Sequence, residues 1–231
     1  MDLNLKNKKV FIFDWDGTIF NSMDIKIENF TEALSALINP EMNDYKFRSI
    51  IKFQYKRYSG LARKTLYKNI LRELNIRNEL IKYSNFTKNF SRLNKTNLLK
   101  AEVFNDAISF LNLLIKNKRD IFISSSIPQG ELRFFTSRKL SEYLKQNIKG
   151  IIGSRNNFSK GSRHFEFIEN NTGYKRDKFL FIGDDLYDYM LSRDSGVDFI
   201  LINRTLKKFP ISNIFEINSF NEMEGLIDGK V

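Results

Sequence analysis

Val10-Phe11-Ile12-Phe13-Asp14-Trp15-Asp16-Gly17-Thr18 is the stretch that decides how this chain folds. Four large apolar residues, β-branched and aromatic, run without a break and stop on two carboxylates and a glycine. The run is too short for a helix, and its lack of polar alternation fits a strand buried on both faces, as in a parallel sheet. Asp14 and Asp16 then fall at the carboxyl end of that strand. Residues two apart in extended chain point to one side, so the two carboxylates can converge while Trp15 faces away. Two like charges brought together need a cation. Gly17 lets the chain leave the strand by a turn that a Cβ would obstruct, and Thr18 brings a hydroxyl close to the carboxylates.

Beyond this strand the period changes. Asn21 to Asn39 carries Met23, Ile27, Phe30, Ala33, Leu34, Leu37 and Ile38 at helical spacing, with Pro40 as its stop. Asp44 to about Lys100 continues in helical period, interrupted at Ser59-Gly60. Residues 23–97 are therefore expected to form an all-helical insertion between the halves of an α/β domain made of residues 1–22 and 98–231. In the second half, helices are expected at Phe104 to Asn117, Gln129 to Leu144, Gly161 to Asn171 and Leu186 to Asp194. Strands are expected at Asp120 to Ser124, Lys149 to Gly153, Lys178 to Ile182 and Val197 to Ile202, and Ile214 to Val231 should add a last strand and helix. Alternating strands and helices imply parallel pairing with right-handed crossovers, a doubly wound sheet. The fourth strand ends on Gly183-Asp184-Asp185 and so repeats the logic of the first.

Composition narrows the chemistry. The 231 residues are 42% hydrophobic and contain no cysteine, which excludes a disulfide framework, a zinc-thiolate site and a cysteine nucleophile. His164 is the only histidine and is expected to be structural or at the surface, so a multi-histidine metal site is excluded. The first apolar run is too short for a signal segment or a membrane span. A soluble cytoplasmic protein with no membrane partner is expected. The net charge is +11, and it is local: between Lys46 and Lys100 fifteen Lys/Arg face only Glu73 and Glu79, a balance of +13, which leaves the rest of the chain at 11 − 13 = −2. A solvated helical surface explains such a run, and nucleic acid is the other partner it could serve.

Asp-x-Asp-Gly-Thr directly after a buried strand resembles the first motif of the haloacid dehalogenase superfamily, and Gly183-Asp184-Asp185-Leu186-Tyr187-Asp188 resembles the fourth. The resemblance implies a Rossmann-like sheet of order 5-4-1-2-3, with Asp14 and Asp16 facing Asp184 and Asp185 at the point where strand order reverses. It implies phosphoryl transfer, with Asp14 as nucleophile and Asp16 as general acid and base. It also implies Mg²⁺, held by the Asp14 carboxylate, the Asp16 backbone carbonyl and Asp184, with Asp188 in support. The second motif is a Ser or Thr at the end of the second strand, which should donate a hydrogen bond to a phosphoryl oxygen. Ser124, Ser125 and Ser126 are consecutive, and counting back from Pro128 favours Ser125, with Ser126 as helper. The third is a lysine opening the helix before the fourth strand, for which Lys160 fits best.

The helical insertion is similar to the C1 cap of the phosphoglycolate phosphatase and β-phosphoglucomutase branch. Within it, Ser59-Gly60-Leu61-Ala62-Arg63 resembles that branch's Gly-x-x-Arg loop, whose arginine can grip a second anionic group of the substrate. Two positions depart from relatives: Asn21 stands where many have Asp, and Pro128 where the mutase has a lysine. The leading expectation is a Mg²⁺-dependent phosphatase acting on a small anionic organophosphate, such as a sugar phosphate or a phosphoglycolate-like compound, with Thr18, Ser126, Gly60 and Arg63 at the substrate. A sugar-phosphate mutase is the alternative enzyme. A nucleic-acid-binding module with a basic cap is the alternative of another class, and the intact carboxylates argue against it. None of these patterns specifies an oligomeric state.

Overall fold

In the computed structural model, which describes residues 5–38, 45–77, 82–206, 209, 211 and 214–228, β1 (Val10–Phe13) lies inside a six-stranded sheet. Its neighbours are β2 (Asp120–Pro128) and β4 (Phe179–Gly183), both parallel, with Val10 opposite Asp120 on one side and Phe179 on the other. β3 (Gly150–Ser154), β5 (Asp198–Ile202) and β6 (Phe215–Ile217) complete the order β3-β2-β1-β4-β5-β6, every pair parallel. This is the expected order with β6 added beyond β5. All four residues of β1 and all five of β4 are buried, as continuous apolar runs covered on both faces must be. The chain runs outward from β1 through β2 to β3, then returns to β4 on the other side of β1. The crevice between β1 and β4, at their carboxyl ends, is therefore the topological switch point.

The chain divides into two units, Met1–Asn21 with Val103–Val231, and Ser22–Glu102. The helical unit begins with α1 (Met23–Ile38), α2 (Tyr45–Arg57), α3 (Arg63–Glu73) and α4 (Tyr83–Asn97). It reaches five residues beyond the expected boundary at 97, because a 3-10 turn at Leu98–Lys100 continues directly from α4. Pro40, the expected stop of the first helix, lies outside the described residues. The break at Ser59-Gly60 falls between α2 and α3, where Gly60 takes the left-handed conformation at φ 84°. The core of this unit is aromatic. Phe30 meets Tyr55, Phe86 and Phe90 edge-on at centroid distances of 5.1, 4.8 and 5.4 Å, and Phe86 also lies 4.7 Å from Tyr67. Asn29 joins α1 to α4 by a buried bond from its amide to Asn94 Oδ1 (2.9 Å), and it accepts a second from Asn97 (2.7 Å). On the surface, Lys52 and Arg48 of the basic run pair with Glu28 and Glu32 of α1.

In the α/β unit the remaining helices are α5 (Asn105–Lys116), α6 (Gln129–Lys139), α7 (Glu142–Asn147), α8 (Ser162–Thr172), α9 (Leu186–Asp194) and α10 (Asn221–Asp228). The largest departure from expectation is β2. It runs to Pro128 instead of ending at Ser124, with its register against β3 shifting between Ser124 and Pro128. Serines that read as the start of a loop are the bulged end of a strand. Among the described residues, no helix is long and apolar enough to cross a membrane.

Candidate active site

The chain leaves β1 in a tight turn in which Trp15 carbonyl accepts from the amides of Ile19 and Phe20, and Gly17 amide donates to Phe20 carbonyl. Trp15 points away from the turn and stacks on Phe20 at 5.1 Å. Gly17 is required here for two reasons. Its φ is +78°, and a Cβ would fall within the Asp184 carboxylate. The backbone of the first motif thus touches the side chain of the fourth, an approach that only glycine permits.

Asp14, at the end of β1, donates its amide to Ile182 carbonyl of β4 (2.9 Å), which fixes the two strand ends together. Lys160, just before α8, reaches the same point from the third motif. Its ammonium lies 2.5 Å from Asp14 Oδ1 and 2.6 Å from Asp188 Oδ1, with all three side chains buried. Asp185 caps α9 by accepting from the Asp188 amide at 3.1 Å, which sets Asp188 in the first turn facing the lysine. Asp14, Asp184 and Asp188 each place a carboxylate oxygen within 4.8 Å of the others. Asp16 is buried on the turn, close enough to raise Asp14 electrostatically.

Burial dominates the electrostatics. It raises Asp14 and raises Asp188 well above the carboxylate range, with Lys160 opposing it at both. On Lys160 burial works downward, but the charges of Asp14, Asp188 and Asp185 more than reverse it and hold the ammonium charged well above its usual range. One ammonium therefore stands among three clustered carboxylates. Both oxygens of Asp188 are buried, and among the described residues neither accepts a hydrogen bond, although Lys160 is in ion-pair contact. The buried Thr18 hydroxyl also has no hydrogen-bond partner there. A hard divalent cation with oxygen preference fits this donor set.

The three consecutive serines separate. Ser124 Oγ is bonded to His164 Nδ1 at 2.8 Å, buried inside the fold. Ser125, also buried, accepts from the Ile127 amide at 3.3 Å, within the segment that bulges away from β3. Ser126 is half-buried beside it.

Three features of the site have no motif to mark them in the sequence. Gln129 fills the gap that the β2 bulge opens: its amide nitrogen donates to Ile151 carbonyl (3.0 Å), and its oxygen accepts from Gly153 amide (2.7 Å). A side chain thus replaces two ladder bonds. A Cβ at Gly153 would sit 2.7 Å from Gln129 Cα and 2.9 Å from Ile127 carbonyl, so only glycine lets β3 approach the serine segment this closely. Arg204 grips Asp106 with two bonds of 3.0 Å, donates to Thr18 carbonyl at 3.0 Å and lies 3.7 Å over the Phe104 ring. Burial opposes ionisation of Asp106, but bonds from Arg204, Phe220 amide and Ser219 outweigh it and hold the carboxyl below its usual range. The turn that carries Asp16 is therefore anchored from behind. His164 is the third: of the two expectations, structural or surface, the structural one fits, since it is buried and hydrogen-bonded to Ser124.

Gly60 and Arg63 lie in the helical unit. Arg63 opens α3, donates to Ser91 Oγ (2.9 Å) and Thr87 Oγ1 (3.3 Å) of α4, and stands 4.9 Å over the Phe90 ring.

The sequence model of the haloacid dehalogenase-like hydrolases matches residues 11–202. Among solved structures, a hydrolase from Pseudomonas syringae superposes with a TM-score of 0.76 at 17% identity, covering 97% of this chain and 100% of the other. A protein described as a predicted phosphoglycolate phosphatase from Haemophilus somnus gives 0.75 at 14% identity, covering 94% and 96%. One described as a predicted phosphatase from Clostridium acetobutylicum gives 0.74 at 16%, covering 96% and 99%. At these identities the likeness is one of fold. A search of curated proteins returns no significant match.

Proposed function

Because the chain belongs to the haloacid dehalogenase-like hydrolases, we propose that it is a Mg²⁺-dependent phosphatase of small anionic organophosphates, working through an aspartyl phosphate. The observation that carries this reading is the buried cluster in which Lys160 bridges Asp14 and Asp188 beside Asp184. Two of the structures of like fold are described as phosphatases, one of them for phosphoglycolate, which is the substrate class proposed here.

Lys160 holds one oxygen of Asp14 and leaves the other to attack phosphorus in line. The phosphorus–oxygen bond to the leaving group breaks as the new bond to Asp14 forms. Asp16 gives its proton to the departing oxygen, then takes one from the water that attacks the aspartyl phosphate and releases inorganic phosphate. Ser125, with Ser126 as helper, donates to the phosphoryl oxygens, and Lys160 keeps the charge of nucleophile and phosphoryl group in balance. The Asp14, Asp184 and Asp188 carboxylates with the Asp16 carbonyl would hold Mg²⁺, which when bound supplies positive charge to the phosphoryl group. Thr18 closes the same turn, and substrate selection falls to the helical unit, with Arg63 as its anion contact. Pro128 ends β2 where the mutase has a lysine, which favours hydrolysis over phosphoryl return to a sugar.

The test is release of inorganic phosphate from a panel of sugar phosphates, phosphoglycolate, nucleotides and phosphoserine, with Mg²⁺ and with chelator. Mg²⁺-dependent turnover of at least one small monoester is expected. No turnover of any monoester, together with steeply salt-dependent binding of DNA or RNA, would overturn the proposal in favour of a nucleic-acid-binding protein.

A further inference from the structure

A cavity of about 550 Å³ opens at the β3 edge of the sheet, lined by the start of α6, by β3 and its following turn, and by α8. That volume lies in the range of sites for compact organic ligands, roughly 300–1,000 Å³. Arg133 of α6, Lys149 just before β3, and Arg155 of the following turn converge on it, and all three are exposed. Among the described residues its lining contains no carboxylate. Surface cations are usually solvated one by one or matched with acids, and of these three only Lys149 has an acid partner. Arg133 makes no ion pair or side-chain hydrogen bond among the described residues, and Arg155 offers only a long 3.5 Å contact to Gln129. Lys149 pairs with Asp120 at 2.8 Å but remains 56% exposed, with donors to spare.

The same cavity has an aromatic wall. Phe158 and Phe167 stand with ring centroids 6.0 Å apart at an interplanar angle of 80°, a corner whose outer ring, Phe167, is 41% exposed. A large apolar ring left open beside three cations is a poor arrangement for water and a good one for a planar ligand that carries anionic charge. Asn156, with no other bond among the described residues, adds an amide that can donate and accept at one edge of such a ring. None of these residues belongs to the Asp14 and Lys160 cluster, which is two strands away in the sheet.

We propose that this cavity binds a nucleoside polyphosphate, its phosphates on Arg133, Lys149 and Arg155 and its base in the corner between Phe158 and Phe167. The cavity adjoins the hydrolytic site through Gln129, which lines it, but shares none of the clustered carboxylates, and it holds its ligand without turning it over. Inorganic pyrophosphate shares the anionic half of the ligand, so the test must separate the two.

A ribose-labelled fluorescent ATP, titrated into the full chain carrying Asp14→Asn in the presence of chelator, reads binding by anisotropy without hydrolysis. Saturable binding is expected, displaced by ATP and ADP more readily than by adenosine or pyrophosphate. Arg133→Ala and Arg155→Ala should each raise Kd about tenfold, the scale of one lost charge-assisted bond at a partly solvated site. Phe167→Ala should weaken ATP several-fold and leave pyrophosphate unchanged, while Ser125→Ala should change neither. Arg133 and Phe167 are exposed, so these variants keep the fold, and Arg133→Glu should abolish binding where alanine only weakens it. The proposal is overturned by an absence of saturable binding, or by binding that Ser125→Ala weakens and the arginine variants do not, which places the nucleotide in the hydrolytic site. Equal displacement by pyrophosphate and ADP, with Phe167→Ala silent, would overturn the nucleoside part.

Discussion

The carboxyl end of the sheet and the interior of the helical unit solve opposite problems with buried side chains. In the helical unit the interior is rings on rings, the amides of Asn29, Asn94 and Asn97 are bonded to one another, and acids of α1 meet cations of the basic run at the surface. At the sheet end, Asp14, Asp188 and Lys160 are buried together beside the half-buried Asp184, and the two oxygens of Asp188 accept no hydrogen bond among the described residues. Burying charge without full compensation is costly. The neighbouring anchors, Arg204 on the first turn and Gln129 on the serine segment, hold the arrangement in place. The contrast teaches that the two regions should fail differently: substitutions at the sheet end should remove activity before stability, and substitutions in the aromatic interior should remove stability.

The largest effect should come from Asp14→Asn, which removes the proposed nucleophile and is expected to lower turnover of every phosphate monoester by about 10⁴-fold or more. The near-ultraviolet signal of Trp15 should remain native. Wild-type activity in this variant, with contamination excluded, would break the assignment of the cluster to catalysis. Asp16→Asn should cost about 10² to 10⁴-fold, with the smaller loss on p-nitrophenyl phosphate, whose leaving group needs little protonation. Single-turnover measurements isolate that step, and equal losses on an alkyl phosphate would count against Asp16 as the acid.

On the other side of the comparison, Phe86→Ala should destabilise the helical unit by about 3–5 kcal/mol, since its fully buried ring contacts four other aromatics. Urea denaturation followed by circular dichroism reads this directly, and a change below about 1 kcal/mol would mean that the aromatic interior is not what holds the unit together. His164 gives a smaller, graded effect. Burial first, then the charges of Lys160 and Arg155, lower it to about 3. Its unfolded value is about 6.5, so between the two the unfolded chain binds a proton that the native chain does not. Stability should therefore fall as pH drops through that window, by at most about 1.4 kcal/mol per unit. His164→Asn keeps a partner for Ser124 without a titrating ring, and its denaturation midpoints should vary less with pH. Parallel curves would assign the acid sensitivity to other groups. The smallest effect belongs to Arg63→Ala, which loses its bonds to Ser91 and Thr87 and the ring contact, about 1 kcal/mol in all. It should also raise KM for a doubly anionic substrate while sparing p-nitrophenyl phosphate. Equal effects on both substrates would reduce Arg63 to a structural role.

What the sequence made legible follows from which physics is local. Val10–Phe13 and Phe179–Ile182 announce themselves because strands covered on both faces are unbroken apolar runs, and the carboxylates after them are fixed by chain continuity. Leu186–Asp194 was readable to its ends because Asp185 is an N-cap with an acid following in the first turn. The hidden parts depend on distant partners. Arg204 and Asp106 are 98 residues apart, and Ser124 and His164 are 40 apart. Nothing near Gln129 in sequence reveals that its amide will stand in for a missing strand. Ser125-Ser126 lies beyond the expected end of the strand at Ser124, and only the pairing of β2 with β3 makes it part of a bulged strand.

The position of β1 in the sheet also governs how the chain can assemble. Val10–Phe13 is the earliest described strand in the chain and sits between two partners, yet its first partner begins at Asp120 and its second at Phe179. During synthesis its four apolar residues wait, unpaired, for more than a hundred residues to emerge. Closing so long a span is slow in a parallel sheet, and an exposed apolar strand invites association with other chains. The helical unit, whose α1 and α4 are joined within its own span, can collapse in that interval and bring together the flanking Phe20 and Val103, which are bridged in the finished fold. A long loop closure then becomes a short one. The insertion between β1 and β2 thereby acts as a folding clamp, and a variant that weakens it should lose yield at the ribosome before it loses anything measurable in the finished protein.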